Sequence, residues 1–170
     1  MSPPKGLQTG RSRGAAHDFA MEIVLSRTPE ETFLLGERLG SELRSSDVVL
    51  LRGGLGAGKT LLTKGMVQAL GFDVDEVTSP SFALVNLYKT EEHNIYHIDL
   101  WRVDEGDAAF AVGLDELLED PRAIVIIEWA ERLGKYELPT RVILIDIEGD
   151  GDDPRRITIA RKEQNAGNAV

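Results

Sequence analysis

A phosphate-loop motif constrains this chain more than any other feature. Residues 53–60 read Gly-Gly-Leu-Gly-Ala-Gly-Lys-Thr, which matches the pattern Gly-x-x-x-x-Gly-Lys-Ser/Thr in full. An apolar run at 48–51 precedes the motif and a helix-compatible stretch at 61–70 follows it. The motif requires this order, because its main-chain amides and the helix N-terminus together bind phosphate oxygens. We expect Lys59 to reach the β- and γ-phosphates of a nucleotide and the Thr60 hydroxyl to hold Mg²⁺.

Size, charge and composition limit the classes of protein that remain. The chain has 170 residues, a formal net charge of −10, 42% hydrophobic residues and no cysteine. The length fits one domain, and the absence of cysteine excludes disulfides and thiolate metal sites. A net negative charge is unfavourable for direct binding to DNA or RNA, because phosphate neutralisation supplies most of that affinity. The apolar runs are short, so we expect no membrane span and no secretory signal, and we predict a cytoplasmic protein.

The order of predicted strands and helices, together with the phosphate-loop motif, predicts an α/β fold of the P-loop NTPase type. We expect a three-layer sandwich with a mostly parallel central sheet plus an antiparallel hairpin. Residues 19–161 are predicted to form the domain, with a flexible extension at 1–18 and a flexible tail at 162–170. The predicted strands are 21–26, 48–51, 81–89, 94–100, 123–127, 142–147 and 156–160, and the predicted helices are 29–44, the stretch after the motif to residue 70, and short helices within 104–120.

The chain before the motif contains a strong helix start. Thr28 can act as the N-cap residue, Pro29 suits the first helical position, and Glu31 completes a capping box. A helix is therefore predicted to begin at Pro29.

Two acidic residues are candidates for the metal side of the site. Glu128 ends the continuous apolar run 123–127, which is typical of a strand buried on both faces, and Asp99 ends the run 95–98. Acids at the carboxyl ends of neighbouring strands are placed to meet Mg²⁺ directly or through water. The alternatives are a solvated charge at a strand end for Glu128, and an acid that keeps a hairpin edge soluble for Asp99.

The residues between the motif's helix and the hairpin, here called the 78–82 segment, are open to two interpretations. They read Thr-Ser-Pro-Ser-Phe, and hydroxyl groups in such a segment can sense a γ-phosphate as a switch. The same residues equally fit an ordinary Ser/Pro turn. Trp129, directly after Glu128, could shield the site or fill the core, and core packing is the commoner use of such an aromatic residue.

Nucleotide specificity is inferred from motifs that the sequence lacks. Guanine-selective relatives carry an Asn-Lys-x-Asp type segment near a late strand, and this chain has none. The nucleotide is therefore predicted to be ATP. Small-molecule kinases usually add an arginine-bearing lid, and the later arginines of this chain form no recognisable lid: Arg122, Arg132, Arg141, Arg155 and Arg156.

Four motifs occur in one order at compact spacing. They are the phosphate-loop motif, the 78–82 segment, His-Ile-Asp-Leu-Trp-Arg at 97–102 and Ile-Glu-Trp at 127–129. In this combination the chain resembles the bacterial TsaE family, formerly YjeE, the small ATPase of tRNA threonylcarbamoyladenosine biosynthesis. The phosphate-loop motif is shared by many families, whereas the other three in this order are far more specific. The resemblance covers residues 21–160, nearly the whole predicted domain.

The resemblance implies a set of site residues, with ATP and Mg²⁺ as cofactors. Thr60, Glu128 and Asp99 are implied as the metal-binding residues, and Asp99, Glu128 and Lys59 as the residues needed for hydrolysis. The implied nucleotide-binding residues lie in and after the phosphate-loop motif, in the 78–82 segment, after Glu128, and at the first helix start, which borders the adenine: Gly53, Gly54, Leu55, Gly56, Ala57, Gly58, Lys59, Thr60, Leu61, Ser79, Ser81, Trp129 and Glu31.

Three positions depart from the family pattern. Ser81 stands where the family often has Thr, and Trp101 stands where it often has Tyr, so the hydroxyl and the aromatic ring are kept. Gly54 stands where the family often has Asp, which removes a polar contact.

The resemblance also implies partners. The family acts with TsaD and TsaB homologues, the transferase pair that modifies adenosine 37 of tRNAs reading codons that begin with A, and it supports repeated turnover rather than the transfer itself. The acidic composition agrees, because partners that hold the tRNA leave the ATPase with no need of a basic surface. We expect weak hydrolysis that partners enhance. Two alternatives stay open, namely a small-molecule P-loop kinase and a nucleotide-gated interaction module without catalysis.

Overall fold

The computed structural model describes residues 20–138 and 141–162. The predicted extension at 1–18 lies outside these residues, as does the predicted tail apart from Lys162, which ends the last strand. No helix in the described ranges is both long and apolar enough to span a bilayer. The elements in chain order are β1 Ala20–Ser26, α1 Pro29–Glu42, β2 Val48–Gly53, α2 Lys59–Ala69, β3 Val85–Lys89, β4 Asn94–Asp99, α3 Ala108–Ala111, α4 Leu114–Leu118, β5 Ala123–Glu128, β6 Val142–Glu148 and β7 Arg155–Lys162, with single 3-10 turns at Val74–Glu76 and Ala130–Leu133.

The strands form one mixed sheet in the order β1-β7-β6-β2-β5-β4-β3. Its four central strands, β6, β2, β5 and β4, run parallel, as predicted. Strand β3 pairs antiparallel with β4, which confirms the predicted hairpin. A second antiparallel region, in which β7 joins β6 and β1 joins β7, goes beyond the prediction. The parallel part of the sheet is therefore smaller than expected.

Strand β5 lies between two hydrophobic cores, and all of its residues are buried. Ile124 and Ile126 belong to the core on the side of α1 and α2, whereas Val125 and Ile127 belong to the core that includes α3 and α4. Alternate side chains of a strand point to opposite faces of the sheet. Burial on both faces therefore requires an unbroken apolar run, which is why the sequence indicates this strand so clearly. The three-layer arrangement is confirmed.

The first strand of the hairpin begins at Val85, and the prediction of a start at residue 81 is wrong. Residues 81–84 form a turn that ends at Leu84, which has a positive φ of 65°. Both serine hydroxyls of the 78–82 segment donate hydrogen bonds to Asp99. Such side-chain bonds compete with ladder pairing, so the chain turns before it enters the sheet.

Helices α1 and α2 touch through their main chains at glycine residues. A Cβ atom on Gly36 would clash with the Leu62 carbonyl oxygen, and one on Gly65 would clash with the Phe33 carbonyl oxygen. Glycine inside a helix costs about 1 kcal/mol relative to alanine, and here it permits the close crossing. Because α2 starts directly after the glycine-rich part of the phosphate-loop motif, this crossing fixes the helix that carries Lys59.

We expect Gly65→Ala to destabilise the fold. The added methyl group would meet the α1 main chain, and overpacking of this kind lowers the free energy of unfolding by about 1–3 kcal/mol. Chemical denaturation measures the difference. Gln68→Ala, which removes an exposed side-chain hydrogen bond to Glu37 of α1 but adds no atom to the crossing, is the control and should change the free energy of unfolding by less than about 0.5 kcal/mol, because the bond is open to water. A Gly65→Ala protein as stable as the wild type would show that the close crossing is not required.

Candidate functional site

The phosphate-loop motif connects β2 to α2, as predicted. Gly56 and Gly58 have φ values of 76° and 109°, in a backbone region that favours glycine. Gly58 is also the N-cap residue of α2, and its carbonyl oxygen accepts a main-chain hydrogen bond from the Leu62 amide at 2.9 Å. The positive end of the α2 dipole therefore lies beside the loop amides, which is an anion-binding geometry.

The Lys59 side chain folds back over this loop. Its ammonium group donates to the carbonyl oxygens of Gly53 and Gly54, both at 2.7 Å, and lies 4.0 Å from the centroid of the Trp129 ring. Burial lowers the pKa of Lys59, and nearby carboxylates, with Glu128 the strongest, oppose that shift. A cation in this position can contact an anion that the loop amides bind.

Thr60 and Glu128 are in direct contact. The Thr60 hydroxyl lies 3.0 and 3.1 Å from the two carboxylate oxygens of Glu128, to which it donates. The parallel pairing of β2 with β5 sets Leu51 opposite Glu128, so the acid reaches the first turn of α2 from the neighbouring strand. Glu128 is only 2% exposed. This burial excludes the alternative of a solvated strand-end charge.

The contact between Thr60 and Glu128 fits an Mg²⁺ ion. A hydroxyl and a carboxylate provide the hard oxygen ligands that Mg²⁺ prefers. In nucleotide sites, Mg²⁺ takes one or two such protein ligands together with waters and phosphate oxygens. The Thr60 hydroxyl and the Glu128 carboxylate both lie beside the loop amides that would hold those phosphates. The ion itself remains a prediction.

Asp99 faces the 78–82 segment. One carboxylate oxygen accepts hydrogen bonds from the Ser79 and Ser81 hydroxyls at 2.9 and 3.1 Å, and the other accepts one from the Trp101 amide at 2.9 Å. Asp99 is 3% exposed and lies opposite Glu128 in the parallel pairing of β4 with β5. It is therefore an inner residue of the sheet, not an exposed hairpin acid. The 78–82 segment is a turn, and its serines attach it to the site.

Two tryptophans line the resulting cleft. The rings of Trp101 and Trp129 lie 4.3 Å apart, centroid to centroid. Trp129 is half-buried and packs against the core that includes α3 and α4, so it both fills core and lines the cleft. The cleft has a volume of about 400 Å³ and is also lined by residues 55–61, by both serines and by both acids, whereas the predicted residues Gly53, Gly54 and Glu31 do not line it. The structure thus brings nearly all of the predicted site residues together.

A smaller pocket of about 280 Å³ adjoins the phosphate-loop motif. Thr32 of α1, Leu61 of α2 and Arg155 of β7 contribute to its lining. The Arg155 guanidinium donates to the Ala57 and Gly56 carbonyl oxygens at 3.0 and 3.3 Å, which ties the loop to β7. From the sequence, Arg155 is a candidate only for a lid, and no local pattern indicates this contact.

Glu31 lies beside this pocket at the start of α1. Its amide donates to the Thr28 hydroxyl at 3.1 Å, and its carboxylate accepts a hydrogen bond from the Arg27 amide at 2.5 Å. The Thr28 cap and the start of α1 at Pro29 confirm the predicted helix start, whereas the Glu31 carboxylate binds the Arg27 amide and not the Thr28 amide that a capping box uses. Thr28 and Arg27 line the pocket, and contact of Glu31 with an adenine stays a prediction.

His97 is a functional candidate that the sequence analysis missed. It is 0% exposed, and its Nε2 atom lies 2.8 Å from Oε1 of Glu128. The available signal was a polar residue two positions before Asp99 in an otherwise apolar strand, which puts both side chains on one face.

Comparisons with known proteins confirm the family resemblance. The family model described as threonylcarbamoyl adenosine biosynthesis protein TsaE matches residues 26–157. The TsaE protein of Aquifex aeolicus is 36% identical over 143 residues, which cover 84% of this chain and 98% of that protein. The TsaE protein of Treponema pallidum is 35% identical over 136 residues, which cover 80% of this chain and 98% of that protein.

A solved structure shows the same fold. The crystal structure of YdiB from Bacillus subtilis matches with a TM-score of 0.68 at 30% identity, and the match covers 86% of this chain and 89% of that chain. The family model spans most of the domain described above, and the relatives match over most of their own lengths. The chain therefore belongs to the TsaE family of tRNA threonylcarbamoyladenosine biosynthesis proteins.

Proposed function

We propose that this protein binds ATP with Mg²⁺ and hydrolyses it in support of a transferase pair of the TsaD and TsaB type. The contact between Thr60 and Glu128 carries the proposal. It joins a phosphate-binding loop to an acid from a separate strand, which is the arrangement that a metal-bound nucleoside triphosphate needs. Family membership supplies the pathway, threonylcarbamoyl modification of tRNA.

The chain's own groups divide the work of binding. The loop amides and the α2 N-terminus would bind the phosphate oxygens, and Lys59 would contact the β- and γ-phosphates. Thr60 and Glu128 would hold Mg²⁺, which when bound neutralises the charge of the phosphates.

Asp99 would act on the attacking water. Its carboxylate lies at the wall of the cleft, held by two serine hydroxyls and the Trp101 amide. A carboxylate fixed in this way can accept a hydrogen bond from a water molecule and orient it towards the γ-phosphate. We therefore assign Asp99 to hydrolysis and Glu128 to the metal.

Hydrolysis is proposed to be slow until a partner completes the site. Fast hydrolysis in many P-loop proteins uses an arginine in addition to the loop lysine. Within the described ranges the cleft lining includes one arginine, Arg102, and its guanidinium carbon lies 4.5 Å from the centroid of the exposed Phe82 ring. A docked partner could supply a further cation. The net charge of −10 agrees with a protein that leaves tRNA binding to its partners.

Depletion of the protein from its cells should lower the threonylcarbamoyladenosine content of tRNA. Re-expressed wild type should restore the modification, and Thr60→Ala should not, because the metal side of the site is incomplete. Mass spectrometry of tRNA nucleosides measures this. Normal levels after depletion would contradict the pathway assignment and leave the nucleotide site untouched.

Thr60→Ala should weaken Mg²⁺ binding to the nucleotide complex by at least about tenfold, since even residues behind the metal ligands commonly contribute that much. ADP binding without Mg²⁺ should stay close to the wild-type value, because the loop amides are unchanged. Intrinsic fluorescence is a suitable measurement, since the chain has two tryptophans and Trp101 and Trp129 both line the cleft. Thr60→Ser keeps the hydroxyl and is the control. An unchanged Mg²⁺ requirement in Thr60→Ala would remove Thr60 as a ligand.

Asp99→Asn should lower the rate of ATP hydrolysis by about 10²-fold, because the amide is a poor acceptor for the proton of the attacking water. Nucleotide binding should persist, and tRNA modification should fall with hydrolysis. Release of inorganic phosphate and the nucleoside analysis above measure both effects. Asp120→Asn, which changes an acid that binds Asn94 and Tyr96, is the control. If Asp99→Asn lost hydrolysis and kept full modification, the nucleotide-gated interaction module would be the correct function.

A further inference from the structure

A chain of hydrogen bonds leads from Glu128 to the 78–82 segment. His97 Nε2 lies 2.8 Å from the Glu128 carboxylate, and His97 Nδ1 lies 3.2 Å from the Tyr88 hydroxyl oxygen. The Asn86 side-chain amide donates to that hydroxyl at 3.3 Å and to the Thr78 carbonyl oxygen at 3.1 Å. Three side chains therefore join the candidate metal-binding acid to the first residue of the 78–82 segment.

The donors and acceptors in this chain are consistent with one another. An ionised Glu128 only accepts, so Nε2 of His97 carries a proton, and Nδ1 of a neutral imidazole then accepts from the Tyr88 hydroxyl. The Tyr88 hydroxyl is also placed to donate to the Thr78 carbonyl oxygen, at 3.1 Å, so its single proton is shared between that oxygen and Nδ1. Asn86 supplies two further protons, one to Tyr88 and one to Thr78. Burial raises the pKa of Tyr88, which keeps its proton in place.

Stability alone does not account for these polar groups. His97 is 0%, Glu128 2% and Tyr88 5% exposed, and the free energy cost of burying a charged or polar group can exceed what its hydrogen bonds return. Ile95 and Ile126 lie in the same core as Tyr88, which shows that apolar side chains can be packed in this region. A satisfied buried network does fix the geometry of its members.

We infer that His97 is a positioning residue for Glu128 and that Tyr88 couples Glu128 to the 78–82 segment. The inference rests on the proposed binding of ATP with Mg²⁺. His97 holds one carboxylate oxygen of Glu128 and thereby orients the carboxylate towards Thr60. A change in the position of Glu128 is transmitted through His97 and Tyr88 to the 78–82 segment, whose serines hold Asp99. Glu128 and Asp99 are thus linked in two ways. They lie opposite each other on paired strands, and a series of hydrogen bonds through His97, Tyr88 and the 78–82 segment also joins them.

The positioning role is tested by measuring how much Mg²⁺ the ADP complex requires. The fluorescence of the cleft tryptophans reports Mg²⁺ binding. His97→Leu should raise the Mg²⁺ concentration at half-saturation by about 10–100-fold, as is typical for residues that orient a metal ligand. His97→Gln places an N–H near the position of Nε2 and should restore a value close to the wild type. Metal-free ADP binding should be unchanged in both variants. Equal Mg²⁺ requirements in wild type, His97→Leu and His97→Gln would overturn the positioning role.

The coupling is tested by hydrogen exchange of the main-chain amides in residues 78–84. Tyr88→Phe removes the hydroxyl and keeps the ring, which packs against Phe72 at 4.8 Å. Tyr96→Phe removes a hydroxyl that donates to Asp120 at 2.8 Å, outside the network, and is the matched control. Addition of Mg²⁺ to the complex with a non-hydrolysable ATP analogue should slow exchange in wild type and in Tyr96→Phe. Tyr88→Phe and His97→Gln should lose most of that change.

The outcomes separate this inference from the proposed function. Equal protection in Tyr88→Phe and wild type, or no change in wild type while fluorescence reports Mg²⁺ binding, would overturn the coupling and leave the proposed function standing. A wild-type protein whose fluorescence responds to neither nucleotide nor Mg²⁺ would instead remove the nucleotide site, and the inference with it. If His97→Leu fails to fold, Tyr88→Phe and His97→Gln still test the coupling by hydrogen exchange.

Discussion

The site depends on the hydrogen bonds that satisfy one buried carboxylate, that of Glu128. Removing an ionised carboxylate from water costs several kcal/mol unless neighbouring groups replace the lost hydration. Thr60 on α2 and His97 on β4 provide that replacement here. A strand end, the strand beside it and the start of a helix must therefore meet at one point. The parallel order of β2, β5 and β4 achieves this, because it brings their carboxyl ends to the same edge of the sheet.

The two acids lie opposite each other in the sheet but are attached to different parts of the protein. Glu128 is hydrogen-bonded to Thr60 of α2, a helix whose position is fixed by its close crossing with α1 at glycine residues. Asp99 is bonded to the 78–82 segment, a surface turn whose Phe82 is 86% exposed. Segments with few buried contacts are the ones that rearrange at low cost. Under the proposed function, the acid assigned to Mg²⁺ is therefore held by a fixed helix, whereas the acid assigned to hydrolysis is held by a segment that can respond to a ligand or a partner.

Local features of the site could be predicted from the sequence, and features that depend on register could not. The phosphate-loop motif could be predicted because its glycines permit the backbone conformations of the loop. The strand that ends at Glu128 could be predicted because burial on both faces requires an unbroken apolar run. His97 acquires its role only through the pairing of β4 with β5. The turn at 81–84 reflects hydrogen bonds to Asp99 that no apolar pattern records. A glycine within a helix indicates a close approach, but the sequence does not say that Gly65 approaches α1.

The antiparallel edge formed by β7 and β1, which the sequence analysis did not anticipate, is part of the site. Strand β6 ends at the same edge as the phosphate-loop motif, where Ile147 lies opposite Gly53. An antiparallel β7 starts at that edge, whereas a parallel strand would have to start at the opposite one. Arg155 therefore lies opposite Ser26 and reaches the loop carbonyls. The smaller pocket follows from this topology, because the start of β7, the end of β1 and the first turn of α1 all meet beside the loop. A nucleotide held there by its phosphates would have room for its remaining part at the antiparallel edge of the sheet.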